Sequence, residues 1–297
     1  MYFQSKFTNG YQSFSLLKIE RAFYRLAVLL VAVVLLAPSI VGSAIAAEFT
    51  VGVVPQFEAK KLHSTWQPIL DALSLKTGHT FKLMGSKTIP EFESSLQKGE
   101  FDIIYANPWH AVIANETQGY VPIIKDGKKK LKGILVVRKD SGINEVSQLD
   151  GQEVAFPAPN ALGASLLMRA DLQNLFGVQV VPIYVKTHTS VYLNVVLGDA
   201  SAGGGVRGTF MELPNKMSDV LRVLYETRPM NPHPICVHPR LSDEDRVTIQ
   251  RAFLDLGEDL ATNSLFSEVP IDLPERASID DYLILKSWGL RDFYVSE

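Results

Sequence analysis

The chain has 297 residues, a net charge of −3, and 46% hydrophobic against 21% charged residues. That balance belongs to a chain with a packed core and excludes a disordered one. The near-neutral charge gives no footing for nucleic acid. A single cysteine, Cys236, cannot close an intrachain disulfide.

The first segment in chain order is 18–47. Lys18, Arg21 and Arg25 lead into an unbroken apolar run, Leu26 to Ala37, which Pro38 and Gly42 break before Ala44-Ile45-Ala46. A basic lead, an apolar stretch and a small-x-small site are the anatomy of a signal peptide, so residues 1–46 are expected to be a cleaved export signal. The competing reading is an uncleaved anchor, since Leu26 to Ala47 is long enough to span a bilayer. No cysteine stands at the junction, so a lipid-anchored N-terminus is not expected.

The mature chain opens on Phe49-Thr50-Val51-Gly52-Val53-Val54-Pro55, a short apolar strand stopped by a proline. Further strands are expected at 80–84, 102–106, 133–138, 153–156, 180–185, 201–205, 221–225 and 234–238. Helices are expected at 58–77, 89–98, 108–117, 145–149, 162–175, 189–198, 206–213, 242–262 and 278–287. This alternation predicts an α/β fold with parallel sheets covered on both faces. In such folds ligands collect where strand carboxyl ends meet helix N-termini. Ile134 to Gly142 and Pro234 to Ser242 each read as a strand running into a polar turn, and they are taken as two hinges around an inserted lobe. Ser242 is expected to cap a helix whose first turn carries Asp243, Glu244 and Asp245. Two lobes and two hinges imply a cleft that closes on a ligand.

Six pieces, in this order, carry a resemblance. They are Val51 to Pro55; Trp66-Gln67-Pro68-Ile69-Leu70; Phe101-Asp102-Ile103-Ile104-Tyr105; Val137 to Ser141; Pro157-Ala158-Pro159-Asn160; and His188 with Thr189 and Ser190. Together, over residues 48–280, they resemble the periplasmic substrate-binding proteins of phosphonate, phosphite and phosphate ABC importers. The resemblance implies a two-lobed type II binding fold with two hinge strands. Lobe 1 is then 47–137 plus 239–297, and lobe 2 is 138–238. It further implies a monomer in the periplasm that takes up a small polar or anionic ligand and presents it to an importer's permease. Partnership with the periplasmic domain of a histidine kinase is the alternative. No cofactor is implied and no bond is broken. An enzyme on the same scaffold would need a reactive motif, and no Gly-x-Ser-x-Gly or His-Glu-x-x-His is present.

The resemblance also supplies candidate ligand-binding residues. Phosphonate binders of this family carry a Ser-Thr-Ser-Gly-like run after the Pro-Asn turn. Here Asn160 is followed by Ala161-Leu162-Gly163-Ala164. Backbone amides can still hold an anion there, but each lost charge-assisted hydrogen bond is worth about 1.5–3 kcal/mol. Weak phosphonate binding is therefore expected. His188, Thr189 and Ser190 match the position of the family's ligand-contacting histidine. From the residues alone, Gln56 and Phe57 end the first strand, and Tyr105 and Asn107 end the Asp102 strand. Gly204, within Gly203-Gly204-Gly205, lets a backbone approach a ligand closely, and Arg207 beside it is a candidate anion clamp. The lysines at 125, 128, 129, 130 and 132 read as a solvated turn. Cys236 lacks a second cysteine, and its spacing from His233 and His238 does not make a metal site.

Overall fold

The computed structural model describes Met1 and residues 46–269 and 271–295. The apolar run and cleavage site expected at 18–47 lie, up to residue 45, outside the described residues. From Glu48 onward the chain builds two sheets.

The first sheet has the order β11-β4-β10-β3-β1-β2. Here β1 is Glu48–Val53, β2 is Thr80–Met84, β3 is Ile103–Tyr105, β4 is Val121–Asp126, β10 is Ile235–Val237 and β11 is Pro274–Arg276. β1 runs parallel to β2 and β3, whereas β10 runs antiparallel to both β3 and β4. The second sheet has the order β7-β6-β8-β5-β9. It contains β5 (Gly133–Arg138), β6 (Glu153–Phe156), β7 (Val181–Tyr184), β8 (Ala202–Val206) and β9 (Leu221–Glu226). β6 is parallel to β7 and β8, and β5 is antiparallel to β8 and β9. Both sheets are therefore mixed rather than parallel throughout. The strands that break the pattern are β5, β10 and β11, of which β5 and β10 are the first strands after each passage between the sheets.

Those passages correct the expected hinges. β5 belongs wholly to the second sheet and β10 wholly to the first. The chain therefore crosses before each of these strands, at 127–132 and 227–234. Leu131 and Met230 tie the two crossings together with reciprocal backbone hydrogen bonds of 2.9 and 3.0 Å. An apolar strand followed by a polar turn looks the same whether the crossing precedes or follows it, which is why the sequence reading put each boundary one strand late.

Local chemistry sets the helix ends around the cleft. Helix α1 (Ala59–Thr77) stops at Gly78, whose φ of 74° favours glycine. Helix α2 (Ile89–Gln97) is capped by Thr88, which accepts from the Glu91 amide. Helix α3 (Pro108–Gln118) begins with Asn107 accepting from the His110 amide at 2.8 Å and with proline in its first turn. A π-turn, Leu162–Leu166, leads into α4 (Leu167–Phe176). Helix α5 (His188–Leu197) is capped by Thr187, not by Thr189 or Ser190. Helix α6 (Asp243–Glu258) starts at Ser242 with the three expected acidic residues in its first turn.

The buried core does not respect the division into sheets. One apolar cluster joins the first sheet and its helices to Ala158, Ala161, Ala164 and Val206 of the second lobe. Another packs Trp109 and Val112 of α3 against Leu162, Leu166 and Leu167, with Met230 of the crossing between them.

Candidate functional site

Residues at the strand carboxyl ends of both lobes converge on one small cavity with about 20 Å³ of room. The first lobe contributes Val54 and Gln56 after β1, Ile89 and Asn107. The second contributes Ala161 to Ala164, His188 and Val206, and His233 enters from the crossing just before β10. The apolar wall is Val54, Ile89, Leu162 and Val206. The polar groups are two imidazoles, two side-chain amides and the backbone of 161–164. No lysine or arginine is among the described residues that line the cavity.

The turn 161–164 offers backbone donors. Ser165 and Leu166 both donate to the Ala161 carbonyl. The amides ahead of them, in the first turn, have no helical acceptor to reach. The turn is held hard against the sheet behind it: a Cβ on Gly133 would lie 2.0 Å from the Gly163 carbonyl oxygen.

Both histidines are buried, at 2% exposure for His188 and 5% for His233. Burial pushes the His188 imidazole down to about 4. Burial, reinforced by the nearby His110 and His188 rings, pushes His233 down to about 3. Both are neutral at physiological pH. The Gln56 amide nitrogen stands 3.1 Å from His233 Nε2, so that ring nitrogen accepts and the proton sits on Nδ1. His233 also stacks on Tyr105, with centroids 5.4 Å apart. His188 Nδ1 lies 3.4 Å from Thr209 Oγ1, which in turn bonds the Tyr192 hydroxyl and the Val206 carbonyl.

Behind the cavity a buried polar network bridges the lobes. His110 Nε2 is 2.6 Å from Glu93 Oε1. Asn160 donates to Glu93 Oε2 at 3.1 Å and to the Val295 carbonyl at 2.8 Å, and it accepts from the Val295 amide at 2.9 Å. Asn107 donates to the Asn160 carbonyl at 3.2 Å. Arg169, half-way behind the turn, commits its donors to Ser165 and to the carbonyls of Pro159 and Phe293.

Of the residues singled out from sequence, Gln56, Asn107, Ala161, Leu162, Gly163 and His188 line the cavity. The others do not. Asn160 is turned into the network behind it. Phe57 and Tyr105 border a neighbouring void shared with Trp66 and Leu62, and Lys61 Nζ sits 4.4 Å over the Phe57 ring. Thr189 is exposed and Ser190 bonds Thr187. Gly204 is a packing glycine, because a Cβ there would lie 2.0 Å from the Ala164 carbonyl and 2.6 Å from the Phe156 ring. Arg207 is exposed and paired with Glu226 at 2.7 Å. Sequence reasoning missed His233 as a site residue, along with Val54, Ile89, Ala164 and Val206. The one local signal for His233 was its place between two prolines ahead of the apolar run Ile235-Cys236-Val237.

Residues 51–282 match the family described as "ABC transporter, phosphonate, periplasmic substrate-binding protein". The chain belongs to that family. It is a periplasmic solute-binding protein of the ABC-importer type, whose role is to bind a small molecule and meet a permease, not to catalyse a reaction. Solved structures of this fold agree. A phosphonate-transporter binding component from Pseudomonas aeruginosa (PA3383) superposes with a TM-score of 0.75 at 15% identity, covering 84% of this chain and 88% of its own. PhnD1 from Prochlorococcus marinus, in complex with methylphosphonate, gives 0.74 at 15% identity, covering 84% and 99%. XAC2383 from Xanthomonas citri, bound to chloride, gives 0.70 at 14% identity, covering 83% and 98%. At these identities the likeness is one of fold. Among the described residues of this phosphonate-family binding protein, no group of three His, Cys, Asp or Glu is placed to hold a metal. Burial pushes the thiol of its one cysteine, in β10, upward, which makes it a packing residue.

Proposed function

We propose that this binding protein captures a compact polar solute of low charge, a monoanion or a zwitterion, and that a phosphonate dianion is a poor ligand. The observation that carries this reading is the lining itself: neutral donors around about 20 Å³ of room. His188, His233, Asn107, Gln56 and the amides of 162–164 can satisfy several acceptor atoms. None of these groups carries a fixed positive charge to balance two negative ones in a buried site, where an uncompensated charge is costly. The hydroxyls missing at 161–164 point the same way. With room for about one water, the cleft must part to admit any larger ligand, and a ligand of few heavy atoms fits it best.

The test is a thermal-shift panel of small anions and zwitterions alongside native mass spectrometry of the freshly purified protein. Compact monoanions or zwitterions are expected to raise the melting temperature. Methylphosphonate is expected to leave it unchanged, and submicromolar methylphosphonate affinity by calorimetry would overturn the reading.

A further inference from the structure

After the helical turn Asp280–Leu283 the chain runs across the back of both lobes. Asp281 and Tyr282 tie it to the crossing: the Asn231 amide donates to the Asp281 carbonyl at 2.7 Å, and the Tyr282 hydroxyl donates to the Pro232 carbonyl at 3.1 Å. Lys286 and Arg291 then grip Glu116 on α3 of the first lobe, at 2.8 and 2.6 Å. Beneath them Tyr282, Leu285 and Leu290 are buried in the cluster that joins α3 to Leu162, Leu166 and Leu167 of the second lobe. The end of the segment is held by that lobe. Arg169 donates to the Phe293 carbonyl, and Val295 pairs both of its backbone groups with the Asn160 side chain. Asn160 immediately precedes the turn 161–164 and also holds Glu93 of α2 in the first lobe. One side chain therefore joins the first lobe, the C-terminal segment and the root of the cavity's amide turn.

We infer that residues 280–295 form a strap that holds the lobes closed through Asn160, and that Asn160 is a positioning residue for the 161–164 amides. The strap's hydrogen bonds to the crossing and its ion pairs to Glu116 hold it to the hinge and the first lobe. It meets the moving lobe through the polar contacts at Asn160 and Arg169 and through Leu285 and Leu290 in the cluster with Leu162, Leu166 and Leu167. Opening the cleft must therefore break the Val295–Asn160 pair or drag the strap from α3. The pair mimics a backbone bridge that satisfies donor and acceptor of the buried Asn160 side chain, so losing it leaves that amide partly unpaired, while the exposed Val295 backbone can turn to water.

The test needs no ligand. Cys236 is buried, so spin labels can be placed at Leu75→Cys in the first lobe and Leu197→Cys in the second, both exposed positions and neither next to the Lys61–Glu212 ion pair that also joins the lobes. Interlobe distances are then measured by pulsed dipolar spectroscopy in the otherwise unaltered chain, in a chain ending at Phe293, and in Asn160→Ala. The unaltered chain is expected to show a dominant short distance. Each change is expected to lower the closed-to-open ratio by about tenfold, the scale of one or two net hydrogen bonds. The shortened chain leaves every cavity-lining residue in place, so its effect cannot come from a damaged site. A dominant long distance in the unaltered chain would overturn the inference. So would distances that both changes leave alone, including the case in which they lower only the melting temperature.

Discussion

His188 and His233 line the cavity as neutral imidazoles because burial withholds the water that would solvate their cations. This has a definite consequence for acid stability. In the unfolded chain both rings titrate near ~6.5, while in the folded protein they titrate at about 4 and about 3. Between those values the unfolded chain binds more protons, so stability is complete above the unfolded pKa and drains away as pH falls. Each histidine is expected to cost about 1.4 kcal/mol per pH unit across that window. Urea midpoints from pH 7.5 down to 4.5 should fall, and the His188→Asn, His233→Asn double variant should fall less steeply. Equal slopes would show that neither imidazole is held neutral by the fold. At the same scale, His188→Ala is expected to weaken whichever ligand emerges from the panel by at least about 1 kcal/mol, read by calorimetry. Unchanged affinity would remove His188 from the site. His188 was legible in the sequence because a strand-to-helix turn and a family position both marked it. His233 was not, because its role depends on a crossing that pairs β10 beside β3, with Ile235 opposite Tyr105 across 130 residues (235 − 105), a contact that no local pattern encodes.

The glycine strand β8 shows how an element can mislead. Three glycines at a strand end suggest close approach of a ligand, and close approach is indeed their reason, but the neighbours are protein. A Cβ on Gly203 would meet Val191 and Val195 at 2.7 Å, one on Gly204 the Ala164 carbonyl at 2.0 Å, and one on Gly205 the Tyr192 hydroxyl at 2.1 Å. The strand is bare so that α5 can settle on one face and the amide turn on the other. Gly204→Ala is therefore expected to destabilise the protein by about 3 kcal/mol, at the upper end for overpacking a tight core, in urea unfolding. A loss under about 0.5 kcal/mol, the range of ordinary surface changes, would mean that the turn is not pressed against the strand. Most strands were legible from apolar runs bounded by turn residues. β4 and β11 were not. β4 contains Pro122 and runs into the lysine turn, and β11 is three residues that begin with Pro274. Proline inside so short a run reads as loop, and it is tolerated because pairing from a neighbouring strand supplies what the local sequence lacks.

The two lobes share their cores, and this governs how the molecule unfolds. The largest apolar cluster contains Val51, Ile103 and Trp66 of the first lobe together with Ala161, Ala164 and Val206 of the second. The cluster under the strap likewise joins Trp109 to Leu162 and Leu166. The second lobe also has apolar clusters of its own, around Leu135 and Phe156 and around Ile134 and Tyr192, but the clusters it shares with the first lobe couple the two, which are expected to unfold in one cooperative step rather than in succession. The tryptophans make this measurable. The chain's three, Trp66, Trp109 and Trp288, lie in the first lobe and the strap, and none falls within 133–226. Trp109 sits in the cluster shared with Leu162 and Leu166, and Trp288 packs against it, so a Trp109→Phe, Trp288→Phe variant leaves Trp66 to report on the first lobe, while far-ultraviolet circular dichroism follows both sheets. The two melting curves are expected to coincide, and a bound ligand should shift them together, since it gains contacts from both lobes only in the folded whole. If the dichroism signal began to fall while tryptophan emission held steady, the second lobe would be unfolding by itself, and the shared clusters would not be coupling the lobes.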